Sequence, residues 1–93
     1  MPEQKRMVYE GQLVRAAVDI KVIGNLHVTV DRGSFLKKPE NFNLVAGTEG
    51  FVKAVESTRI LVQFRPRNNG VDLWFDKTIL ATQLKLLDAM YEG

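Results

Sequence analysis

Few side chains in this sequence have the chemistry to act on a substrate. There is one imidazole, His27, and no thiol. A general base needs a nucleophile or a substrate proton within hydrogen-bond reach. The serines, Ser34 and Ser57, do not sit in the Gly-x-Ser-x-Gly turn that exposes an esterase-type nucleophile. His27 is therefore read as an exposed strand residue without a catalytic role. The lack of cysteine rules out disulfides, thiolate nucleophiles and thiolate-held zinc or iron–sulfur centres within this chain. One histidine is too few nitrogen ligands for a zinc site, and the carboxylates do not follow calcium-loop spacing. The expectation is a non-enzymatic chain with no catalytic residue, no metal, no cofactor and no small-molecule substrate.

A second suggestive feature is the glycine pair in FNLVAGTEGFVKAV, positions 42–55, where Gly47 and Gly50 flank Thr48-Glu49. A phosphate cradle needs more glycines, a following helix whose first amides face the anion, and usually a lysine. Here Gly50 leads into Phe51-Val52-Lys53-Ala54-Val55, whose alternation suits a strand. The phosphate reading fails. Both glycines are read as structural turn residues that supply positive φ or allow close backbone approach.

Basic residues gather in the second half, at Lys53, Arg59, Arg65 and Arg67, although 13 basic and 11 acidic residues leave a net charge of only +2. Between Arg67 and Trp74 lies Asn69-Gly70, the clearest hairpin signal in the chain, because both residues accept positive φ. With Asn69 and Gly70 at the centre of the turn, Phe64 faces Phe75 and Arg65 faces Trp74. Phe64, Leu73 and Phe75 then point into the core, while Arg59, Leu61, Arg65 and Trp74 point outward. An outward tryptophan flanked by arginines is the composition of an interaction surface. Arg59, Leu61, Arg65, Arg67 and Trp74 are accordingly the predicted partner-binding residues. The plainer alternative is a cation–π pair that only covers the sheet, worth about 0.5–1 kcal/mol. A basic loop beside an aromatic also suits single-stranded nucleic acid. Glu56, Asp72 and Asp76 weaken that field, so nucleic acid ranks second.

The surrounding pattern is one of short strands punctuated by turns. Gln12 to Val18 follows Gly11, and Ile20–Ile23 and Leu26–Val30 flank a second hairpin signal, Gly24-Asn25. Leu26, Val28 and Val30 alternate with His27, Thr29 and Asp31. Phe35 to Asn43 reads as a loop through Lys37-Lys38-Pro39, pinned at its ends by Phe35 and Phe42. Phe51–Val55, Arg59–Phe64 and Val71–Phe75 are three further strands. Beyond them, Leu80, Leu84, Leu87 and Tyr91 fit a helical stripe that Asp76 could cap. The preferred reading is instead a tight turn at Ala81-Thr82-Gln83 followed by a strand, Leu84 to Leu87. The expected fold class is all-β: a small, partly open barrel of five or six short strands, which the resemblance given below makes SH3-like, with a short C-terminal helix as the alternative ending. Residues 11–88 form its single domain, between tails at 1–10 and 89–93.

Hydrophobic residues at 45% and charged residues at 26% fit a folded domain and argue against disorder. No apolar run approaches the roughly 18 residues that span a bilayer. The polar start, Met1 to Arg6, does not lead into a signal-peptide core. No membrane partner is expected.

Two runs resemble known families. Gly47-Thr48-Glu49-Gly50-Phe51-Val52, then a strand with Leu61-Val62-Gln63-Phe64, resembles SH3-like barrels such as the KOW modules of ribosomal and transcription proteins, with their G-x-x-G-x-V turn. In layout the chain is more similar to the variable (alpha) chain of ferredoxin–thioredoxin reductase. That family opens with G-x-x-V-R-V and later carries F-D-L-x-G-x-E-G-x-V. Here the counterparts are Gly11-Gln12-Leu13-Val14-Arg15-Ala16 and the run Phe42 to Val52, with one extra residue before the first glycine. The likeness covers positions 11–87 and departs at the Asp31–Lys38 segment and after Leu87. It implies a non-catalytic accessory subunit of a redox complex, cytoplasmic or in the plastid stroma. Such a subunit docks on a larger protein subunit that holds the iron–sulfur and disulfide chemistry. The KOW likeness implies a nucleic-acid-binding module. A small inhibitor or adaptor from a virus or mobile element is a third reading that composition leaves open.

Overall fold

The computed structural model describes residues 8–22, 24–31, 43–64 and 71–91. Alternating apolar residues in this chain suit half-buried strands, and eight form among the described residues: β1 (Gln12–Ala16), β2 (Ile20–Lys21), β3 (Val28–Val30), β4 (Asn43–Leu44), β5 (Glu49–Val55), β6 (Arg59–Phe64), β7 (Val71–Asp76) and β8 (Leu84–Met90). Six of them make one antiparallel sheet in the order β3-β7-β6-β5-β1-β8, and β2 pairs with β4 as a separate two-stranded ribbon. The β5–β6–β7 meander, with β1 and β8 beside it, is the small all-β layout expected. The edge strands β3 and β8 do not pair with each other, so the barrel is partly open.

Parity along the strands fills the interior. Val14, Val52, Ile60, Val62, Phe64, Val71, Leu73 and Phe75 are buried, and the Phe64 and Phe75 rings meet at 6.0 Å between centroids. Gly50 lies within this layer, opposite Val14 on one side and Phe64 on the other. A Cβ on Gly50 would run into the carbonyl oxygen of Gln63 and come within 2.9 Å of Phe64 Cδ1. Gly47, in the turn before β5, has φ +93° with open space around it. Gly47 thus supplies positive φ in a turn, as expected, whereas Gly50 allows close approach from within β5 and is not a turn residue.

Three expectations need correction. The Gly24-Asn25 turn exists, with Gly24 at φ +80°, but it does not join a hairpin. β2 leaves to pair with β4, and β3 pairs with β7. Each strand is placed by the apolar residues it buries (Ile20 and Val28), a choice that turn chemistry cannot make. Leu26, expected beside Val28 and Val30, is 89% exposed.

The second correction is register. Phe64 pairs with Val71, not Phe75, and Leu61, not Arg65, pairs with Trp74. The two-residue turn would have set Ile60 opposite Ile79, which lies beyond β7. The observed register instead matches Ile60 with Phe75 and Val62 with Leu73, all buried. Because the displacement is an even number of residues, every side chain keeps its face. Asn69 and Gly70 lie outside the described residues, as do Phe35, Lys37, Lys38 and Phe42.

The third concerns only the limits of the last element, since the preferred turn plus strand is present. A 3₁₀ turn, Lys77–Ile79, runs into a single-turn helix α1 (Leu80–Gln83), and β8 follows, so turn plus strand is the observed ending. Asp76 makes no side-chain cap bond there. β8 continues to Met90, past the expected boundary at residue 88, and the Tyr91 ring stacks on Phe51 at 4.1 Å and 3°.

Candidate functional site

The outer face of β6 and β7 is built in rows fixed by the register. Ala54, Leu61, Trp74 and Thr29 form one row across β5, β6, β7 and β3, with Phe51, Gln63 and Asp72 forming the next. Arg59 and Asp76 pair at the end of the β6–β7 ladder. A one-residue bulge at Lys53 lets β5 follow this face without losing its inward Val52 and Val55.

Trp74 sits half-buried at the centre. The guanidinium carbon of Arg59 lies 3.7 Å from its ring centroid. Arg59 Nε in turn donates to Glu56 Oε1 at 2.9 Å. On its other side, the indole Nε1–H donates to Asp31 Oδ1 at 2.8 Å. Lys53 reaches over β6 to Asp72 at 3.0 Å, and Arg15 pairs with Glu49 at 3.0 Å. The face is therefore polar at its margins but locally neutral, since Arg15, Lys53 and Arg59 each have a carboxylate partner.

Of the predicted partner-binding residues, Arg59 and Trp74 are brought into contact. Leu61 is on the predicted face but only 9% exposed, flanked by Ala54 and Trp74. It is part of the packing and not the exposed leucine that the sequence suggested. Arg65 and Arg67 lie outside the described residues, and the cation over Trp74 is Arg59. Sequence reasoning missed Asp31 and Glu56. Glu56 stands three residues before Arg59 across a turn, a spacing that could have revealed it. Asp31 is 43 residues from Trp74, and no local pattern signals that bond.

His27 Nδ1 lies 2.9 Å from Asp76 Oδ2, the arrangement that orients a catalytic imidazole. Among the described residues no hydroxyl bonds its other ring nitrogen. The Asp76 amide also donates to the His27 carbonyl at 3.0 Å, so the two residues fasten the 24–27 turn to β7. Within the described residues no group of three His, Cys, Asp or Glu side chains is placed to hold a metal ion. No helix there is long and apolar enough to cross a membrane. In comparisons with known proteins, no family model, curated protein or solved structure matches the chain.

Proposed function

We propose that this domain is a non-catalytic, protein-binding accessory subunit that uses the outer face of β6 and β7, centred on Trp74 and Arg59. The observation that carries this reading is the fixation of both side chains before any partner arrives. Asp31 holds the indole and Glu56 holds the guanidinium. Tryptophan and arginine dominate interface energetics, and side chains already fixed lose little entropy on binding. A ferredoxin-linked redox complex is the setting suggested by the Gly11–Ala16 and Phe42–Val52 runs.

The pairing of Arg15, Lys53 and Arg59 with carboxylates favours a protein partner over nucleic acid, whose binding rests on cations released to phosphates. The test is affinity purification of the tagged chain beside its Trp74→Ala variant, with titration of a single-stranded oligonucleotide. A larger protein retained at fixed stoichiometry, and lost in the variant, is the expected result. Oligonucleotide binding with a steep salt dependence would overturn the reading in favour of a nucleic-acid module.

A further inference from the structure

A second surface lies at the β1–β8 edge around Gly11 and borders the outer face of β6 and β7 at Phe51. Tyr91 N–H donates to the Gly11 carbonyl at 2.6 Å, and Gln12 N–H to the Tyr9 carbonyl at 3.1 Å. Met90 pairs with Gln12, and its Cε would lie 3.2 Å from a Cβ on Gly11. Tyr9, Met90 and Tyr91 are thus neighbours, and they are 52%, 51% and 38% exposed. Tyr91 covers Phe51 on the outer face, while Met90, paired with Gln12, points to the other side of β8, so this edge carries exposed apolar groups on both faces. Tyrosine and methionine are enriched at protein interfaces, and an extended segment laid beside β8 would meet both faces through its alternating side chains.

Charge selects the occupant. Asp19, Asp31, Glu49, Glu56, Asp72 and Asp76 all have hydrogen-bond or ion-pair partners. Among the described residues the carboxylates without one are Glu10 and Asp88. Both belong to this edge: Glu10 adjoins Tyr9 and Gly11, and Asp88 precedes Met90 by two residues in β8. Lys85 stands at the far end of β8, opposite Arg15. A second copy seated on this edge by two-fold symmetry would bring the same unpaired carboxylates together, which like-charge repulsion opposes. Cationic side chains meet both needs, since their stems cover apolar rings while their heads pair with carboxylates or sit over tyrosine. Among the described residues β8 is also a sheet edge with one side unpaired, the template on which an extended segment adds as a strand.

We propose that the β8 edge, with Tyr9, Met90 and Tyr91 flanked by Glu10 and Asp88, binds an extended, lysine- or arginine-bearing segment of a partner protein. The probe is a synthetic peptide of alternating lysine and valine, titrated calorimetrically beside its glutamate–valine counterpart. The lysine peptide should bind, more weakly as salt is raised, and the glutamate peptide should not. The E10K/D88K double variant, checked for an unchanged melting transition, should lose about tenfold or more in affinity for the lysine peptide. It should also gain binding to the glutamate peptide. Tyr9→Ser should weaken the lysine peptide without any charge change, whereas Trp74→Ala should leave it unaffected, which separates this site from the β6–β7 face. Equal binding of the two peptides, no binding of either, or indifference to E10K/D88K would overturn the proposal. So would a concentration-dependent dimer in sedimentation that the double variant abolishes.

Discussion

Arg59 and Trp74 form a stacked cation–π pair, with 3.7 Å between guanidinium carbon and ring centroid, and each is held from outside the pair. Arg59 is 44% exposed, so solvent limits the interaction to about 0.5–1 kcal/mol. Arg59→Ala should lower unfolding stability by about that amount. Arg59→Lys should recover only part of it, because an ammonium cannot lie flat on the ring. Urea unfolding followed by fluorescence of the single tryptophan measures both, and an unchanged midpoint would show the pair to be energetically idle.

Trp74→Ala removes that pair, the bond to Asp31 and the centre of the proposed contact face. Partner affinity should fall by about 2 kcal/mol or more if Trp74 is a binding hot spot. Stability should fall as well, by roughly 1–2 kcal/mol, from the lost hydrogen bond and ring contact. The inward residues of β6 and β7 stay in place, so the circular dichroism spectrum should remain that of a β-rich fold. Loss of stability without loss of affinity would assign Trp74 to packing alone.

Gly50 and Gly47 should respond differently to the same substitution. Alanine at Gly47 meets no atom within 4 Å, so its cost is the positive φ, about 1 kcal/mol. Alanine at Gly50 meets backbone in the middle of the sheet, where overpacking costs roughly 1–3 kcal/mol. Valine should be worse at both positions, and Gly50→Val should be the more damaging. Equal midpoints for the two alanine variants in denaturant would contradict this ordering.

Tyr91 closes the domain through its stack on Phe51. Tyr91→Ala should cost about 0.5–1.5 kcal/mol beyond surface effects, the usual worth of an aromatic pair. A double-mutant cycle with Phe51→Ala isolates that coupling. Additive effects of the two changes would show that the rings touch without stabilising.

The alternation of β6 and β7 was legible in the sequence because side-chain direction has a period of two, whatever strand lies alongside. Phe64, Leu73 and Phe75 were therefore placed inward correctly, although the predicted register was displaced. Gly47 and Gly50 were legible for a similar reason, since a missing Cβ has local consequences. The ending was readable as turn plus strand because Leu84 to Leu87 carried enough apolar residues for a strand after a short turn.

What the sequence could not determine was which distant groups share a site. Asn69-Gly70 indicated a hairpin between the right strands. The pairing of Phe64 with Val71 was decided by matching buried residues along the whole β6–β7 ladder. Gly24-Asn25 specified a turn, yet β2 and β3 went to different sheets because each found its own place to bury apolar surface. Asp31 reaches Trp74 only because β3 docks on β7, and Tyr9 joins Met90 and Tyr91 only because β8 returns beside β1. Local chemistry fixes what a residue can do and which way it faces. Its neighbours across the sheet are set by long-range burial, which no short window of sequence contains.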